Sequence, residues 1–125
     1  MGDSLLVNSV LEAHLAAIAE RDLEAYSATI HDDVIVVLPN GNRLEGRQAV
    51  EGFHRDWFAD LDWTQEMHQV SLVETAGTLV AIYEADYHDV DGDGLPIHAR
   101  NVVSLVFTKE PEGWLLVHDQ NTRLR

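Results

Sequence analysis

The chain has 125 residues, 46% of them hydrophobic, enough for one domain over residues 1–125 with its own core and too apolar for a disordered polymer. Its formal charge is −14, with Lys109 the only lysine. That excludes nucleic acid as a partner and disfavours anionic membrane surfaces, since both need clustered cations. The absence of cysteine excludes disulfides, thiolate metal sites and cysteine nucleophiles.

No apolar run approaches the ~18 residues of a membrane span, and "MGDSLLVNSVLEAHL" lacks the positive start of a signal peptide. The cytoplasm is therefore the expected location.

From Ser4, a candidate N-cap, the residues Leu5, Leu6, Val10, Leu11, Leu15, Ile18 and Ala19 fall near helical spacing and predict a helix to about Arg21. A second short helix starts at its cap Asp22, with Leu23, Tyr26 and Ile30 on one side. "DVIVVLP" reads as a strand ended by Pro39, and "NGNRLEG" supplies turn residues around Arg43 and Leu44. "GRQAVEGFHRDWFADL" predicts a third helix that buries Val50, Phe53, Trp57, Phe58 and Leu61, weakened in the middle by Gly52.

After Asp62 the pattern becomes extended. "WTQEMHQVSLVE", "TLVAIYEADYHDV", "IHARNVVSLVFTKE" and "GWLLVHDQNTRL" are separated by "TAG", "DGDGLP" and "PEG", all turn chemistry. Short connections make these four strands an antiparallel meander. The expected class is α+β, with three N-terminal helices packed on one face of a strongly curved, mainly antiparallel sheet.

"DVDGDG", Asp89 to Gly94, begins like a calcium-binding EF-hand loop, but the twelfth position, which should be a bidentate Glu, is Arg100. It also lies between strands rather than helices, so it reads as a hairpin turn.

Alternation sorts the strands into faces. One face carries Ala81, Tyr83, Ala85 and Tyr87, then Asn101, Val103, Leu105 and Phe107, then Leu115, Val117, Asp119 and Asn121. The opposite face is also largely apolar, as expected when both faces are covered. Helices can cover only one, so a homodimer through the other face is predicted.

The order of these elements, with "RDLEAY", "HDDV", "LEGRQAV" and "GWLLVHDQNT", resembles the NTF2-like superfamily, and within it the SnoaL-like and SgcJ/EcaC-type small bacterial proteins. The resemblance spans almost the whole chain. It implies a cone, in which a curved sheet wraps helices around a deep pocket, and often a dimer through the outer sheet face. Function does not follow from this fold, which hosts isomerases, hydratases, cyclases and non-catalytic binding or assembly domains.

The resemblance turns the Tyr83, Asn101 and Asn121 faces inward, giving an apolar hollow with a few polar groups, as small-molecule sites are built. Asp119 is then the candidate acid/base, matching the late-strand Asp of SnoaL-like polyketide cyclases. The alternatives are a solvated Asp near the end of an edge strand or ligand binding without chemistry. Asn101 and Asn121 could steady a carbonyl or enolate or satisfy each other. Tyr83, Tyr87, Trp57 and Tyr26 complete the candidate ligand contacts.

Aligned on "RDLEA" and "HDDVIVVLP", the general-base Asp of the related ketosteroid isomerases falls at Leu38 and their oxyanion-hole Tyr at His14, which argues against that mechanism. His14 stays a candidate donor or base.

No cofactor is implied, and a Gly-rich phosphate loop is absent. The seven histidines are scattered, so no metal site is expected. His88 and His98 could pair across the hairpin near Asp86 or Asp89, a pair read as solvated.

Overall fold

The computed structural model describes residues 2–125, with side chains from Leu6 onward. Helix α1 (Gly2–Ala19) and helix α2 (Leu23–Ser27) precede strands β1 (Ile30–Val37) and β2 (Arg43–Glu45). Helix α3 (Arg47–Ala59) then leads into β3 (Thr64–Glu74), β4 (Thr78–Val90), β5 (Pro96–Glu110) and β6 (Gly113–Arg123). The six strands form one sheet in the order β2-β1-β6-β5-β4-β3. The predicted meander is present from β3 to β6, and β1 adds to it in parallel against β6. The fold is α+β with a mixed sheet.

The proposed Ser4 cap and Leu5 fall outside the described side chains. Further along α1, the buried stripe runs through Val7, Leu11, His14 and Ala17, while Leu6 is half exposed. One residue is a 100° turn of a helix, so Leu6 misses the core that Val7 enters. The helix stops where Asp22 N–H bonds the Ala17 carbonyl and Arg21 N–H that of Ile18, a Schellman closure. Arg21 sits in the left-handed region at φ 55°, a conformation that costs a non-Gly residue about 1 kcal/mol. Its guanidinium offsets this by donating to the carbonyls of Asp60 and Trp63 and lying 4.0 Å over the Trp63 ring.

Asp22 caps α2 by accepting from Ala25 N–H at 3.1 Å. Helix α3 buries Val50, His54 and Phe58, spaced i, i+4, i+8. Leu61 is not part of that stripe: Asp60 turns extended after Ala59, and Leu61 projects outward at 79% exposure.

"DVDGDG" is a turn. Asp91 Oδ1 accepts from the N–H groups of Asp93 and Leu95, Gly94 N–H bonds the Asp91 carbonyl, and Gly94 takes φ 79°. The loop carboxylate is thus engaged by its own backbone.

On β6 strict alternation fails. Val106 pairs with His118 and Phe107 with Leu116, so Val117 is an unpaired bulge residue. Leu116 and Asp119 therefore both point inward and are buried. Leu115 and Val117, expected on the Asp119 face, are only half-buried.

Candidate functional site

Between the helices and the inner face of the sheet lies a cavity of about 330 Å³. Leu15 and Ile18 of α1 and Phe53, His54 and Trp57 of α3 form one side. The sheet side comes from Val36 of β1, Gln65 and Met67 of β3, Tyr87 of β4, β5 between Ile97 and Leu105, and Asp119, Asn121 and Arg123 of β6. Leu38 and Pro39, just past β1, complete the wall.

Asp119, Asn101, Asn121, Tyr87 and Trp57, five of the residues singled out in the sequence, line this one cavity. Asp119 lies on an internal strand, between β1 and β5, and is 7% exposed. Burial raises its pKa to about 7, against the opposing pull of a hydrogen bond from Asn121. A carboxyl near that value can give or take a proton at neutral pH.

The two amides differ. Asn121 Nδ2 donates to Asp119 Oδ1 at 3.1 Å and to the Val37 carbonyl at 3.3 Å. Both of its hydrogens are used, so it orients Asp119 and the end of β1 rather than offering a donor to a ligand. Asn101 faces the same cavity with its Oδ1 buried and unpartnered. The two do not satisfy each other: Asn101 opposes Arg123 across the strands, and Asn121 opposes Val103.

Three other candidates do not reach the wall. Tyr83 packs its ring in the core and turns its hydroxyl to Gln69 Oε1 on β3 at 3.3 Å. Tyr26 and His14 are fully buried behind His54. The Tyr26 ring stacks on His54 at 4.1 Å, and His14 sits 5.3 Å from Tyr26. His14 Nδ1 bonds Thr29 Oγ1 at 2.8 Å, and burial, then the charge of His54, takes its pKa down to about 3. It is neutral at physiological pH and shielded from the cavity. Burial, then the Asp119 charge, raises the Tyr26 pKa, so Tyr26 stays protonated.

The residue that sequence reading passed over is His54. It lines the cavity, and its Nδ1 lies 2.8 Å from the Val50 carbonyl. A carbonyl only accepts, so Nδ1 carries the hydrogen and Nε2 keeps its lone pair. Burial lowers its pKa to about 4, against the Val50 hydrogen bond. The signal was its i, i+4 spacing with Val50 and Phe58.

Trp57 and Tyr87 are held from behind by Trp63, which stacks on Trp57 at 4.3 Å and donates its Nε1–H to the Trp57 carbonyl at 2.9 Å. Burial, then a hydrogen bond to Asp89, pushes the Tyr87 pKa up to about 12. Arg123 is the one cation on the wall, and it makes no ion pair among the described residues.

No curated protein matches the chain. Solved structures do match in shape. A candidate dehydratase of the NTF2-like family from Streptomyces avermitilis superposes with a TM-score of 0.85 at 20% identity, covering 99% of this chain and 97% of that one. A ketosteroid isomerase-like protein from Erwinia carotovora gives 0.79 at 17% identity, over 97% and 95%. The association domain of a C. elegans protein kinase, CaMKII, gives 0.73 at 20% identity, again over 97% and 95%. At such identities the likeness is one of fold. The described chain contains no helix long and apolar enough to cross a membrane. The sequence profile of the SnoaL-like domain matches residues 7–121, so the strand order, the cavity and the late-strand Asp119 all belong to a member of the SnoaL-like family.

Proposed function

We propose that the chain, as one NTF2-like cone of the SgcJ/EcaC type, binds a small, largely apolar organic molecule in its cavity and that Asp119 exchanges a proton with it. The observation that carries this reading is one buried carboxyl, with its pKa near 7, on a wall otherwise made mostly of apolar and aromatic side chains. The chemistry this supports is cofactor-independent, of the cyclase or isomerase type on a polyketide-like substrate. The ionised carboxylate takes a proton from a carbon next to a carbonyl, and the carboxylic acid returns it elsewhere on the same molecule. Trp57, Tyr87 and Phe53 offer flat faces to a ring. Asn101 is the amide open to a ligand, and Asn121 is a positioning residue for Asp119. His54 Nε2 can accept from a ligand hydroxyl. Its pKa of about 4 makes it a weak base, so the proton-transfer role falls to Asp119.

The experiment is a thermal-shift screen of aromatic polyketides and related compounds. A ligand at 100 times its Kd stabilises the folded state by about 2.7 kcal/mol, and a hit should lose its shift in Trp57→Ala. A screen with no shift, or hits indifferent to Trp57, would remove the cavity from the proposal.

The second reading is a dimeric binding or assembly domain without turnover. It is favoured by the outer sheet face, where Val80, Ile82, Val102 and Val106 remain only half-buried and Val73 is 57% exposed. A second copy of the chain covering that face would remove this apolar surface from water. The similarity in fold to a kinase association domain is compatible with this. Sedimentation should give a dimer at micromolar concentration, and Val80→Glu with Val106→Glu should give a monomer; a monomeric parent protein refutes the covered face.

A further inference from the structure

Strands β4 and β5 pair so that His88 lies opposite His98 and Asp86 opposite Arg100. Asp86 and His88, two residues apart, share one face of β4, the outer one, away from the cavity. The two imidazoles stack at 4.3 Å with their planes 7° apart. Both direct Nε2 at one carboxylate: His98 lies 2.5 Å from Asp86 Oδ1 and His88 3.6 Å from Asp86 Oδ2. The donor atoms of the three residues all lie within 4.8 Å of one another. Bonds of about 2.0–2.1 Å in a tetrahedral shell put ligand atoms roughly 3.4 Å apart, so side-chain rotation alone can close this triad around an ion.

We propose that Asp86, His88 and His98 form a surface site for a divalent transition metal of the Zn²⁺ class, independent of the cavity. Two imidazoles and one carboxylate suit Zn²⁺, Cu²⁺ or Ni²⁺, whereas Ca²⁺ and Mg²⁺ require more oxygen donors. The surrounding charge agrees: the neighbouring Arg100 is turned to Glu84 at 3.6 Å, and the chain as a whole carries −14. His98 Nε2 and Asp86 Oδ1 already hydrogen-bond to each other across the strands. Three protein ligands leave a further coordination position for water or an incoming ligand. The site borders the apolar stripe on the same outer face: Glu84, two residues along β4 from Asp86, pairs with Val102, while Val80 lies six residues from Asp86, roughly 20 Å at about 3.3 Å per residue.

The test uses the untagged full chain, because a polyhistidine tag would mask the result. Calorimetric titration with ZnCl₂ at pH 7.5 should show one ion per chain at micromolar affinity, unaffected by millimolar Mg²⁺. The His88→Ala/His98→Ala variant should lose more than the roughly 10–100-fold that removal of an outer-shell partner costs. Both rings are more than half exposed, at 55% and 54%, so the variant should fold, and a circular dichroism spectrum checks this. In the parent protein, Co²⁺ should selectively broaden the His88 and His98 imidazole resonances, a readout that needs no variant. Absence of saturable Zn²⁺ binding overturns the proposal, and so does binding that survives the double substitution or broadening confined to other histidines.

Discussion

Replacing Asp119 by Asn is expected to abolish turnover and, at the same pH, to make the protein more stable. Asn keeps the shape and still accepts the Asn121 hydrogen bond that holds Asp119 Oδ1, but it cannot ionise. Burial holds the parent carboxyl near 7 in the fold, against 3.8 for a free Asp side chain. Between those limits the unfolded chain has released a proton that the native state still holds, so stability falls as pH rises from about 4 to about 7 and is level above. At 1.36 kcal/mol per pKa unit the full difference is roughly 4 kcal/mol. Asp119→Asn should therefore gain on the order of that amount in urea unfolding at pH 8, progressively less towards pH 4, and nothing below it. On a substrate from the ligand screen, loss of a general acid/base costs about 10²–10⁴ in rate. A stable but inactive variant is the signature of a site that holds an awkward charge for chemistry. No gain at pH 8 would mean that Asp119 is solvated when folded, and retained turnover would place the chemistry elsewhere.

The meander was legible because its turns are local. "TAG", "DGDGLP" and "PEG" each specify a reversal within a few residues, and alternation then fixes Asn101, Val103, Leu105 and Phe107 on one buried face. The seating of Asp119 was not fixed in this way. Its depth depends on β1 pairing in parallel with β6, a contact some 80 residues apart in the chain that no local pattern announces. Without it, β6 is an edge and Asp119 could be wet. Its direction depends on the bulge at Val117, since a strict two-residue period would send Leu116 and Asp119 to opposite faces. Tyr26 and His14 lay on the inward sides of their helices, yet position on a helix face does not reveal that the His54 ring stands between them and the cavity. His54 was hidden for the converse reason. A histidine on an apolar stripe reads as core, and only the open side of the packed structure makes it a wall. The pairing of His88 with His98 was readable from the hairpin, but the convergence of both Nε2 atoms on Asp86 was not.

The buried layer under the cavity should also set the pH at which the protein is most stable. His14 and His54 have pKa values depressed to about 3 and about 4 from 6.5. The native state keeps both neutral, while the unfolded chain binds a proton on each below about 6.5. Their contribution is thus fully present above 6.5 and is lost as pH falls. Asp119 acts in the opposite sense over 3.8 to about 7. Between pH 4 and 6.5 the unfolded state gains two protons on the histidines and lacks one on Asp119. The balance is about one proton, or roughly 1.4 kcal/mol per pH unit, and stability rises with pH. Above 6.5 only Asp119 still changes, and the slope reverses until about pH 7. For these three groups the maximum lies near pH 6.5. Surface carboxylates and the two histidines are common to the parent and to Asp119→Asn, so the difference between the two profiles isolates the contribution of Asp119. In Asp119→Asn the rise between pH 4 and 6.5 should become about two protons steep, and the decline above 6.5 should vanish. Urea midpoints measured at half-unit intervals, with the m-value checked for constancy, are sufficient. Parallel profiles for the two proteins would show that Asp119 keeps the same proton affinity in the folded and unfolded states, and the acid/base role would lose its physical basis.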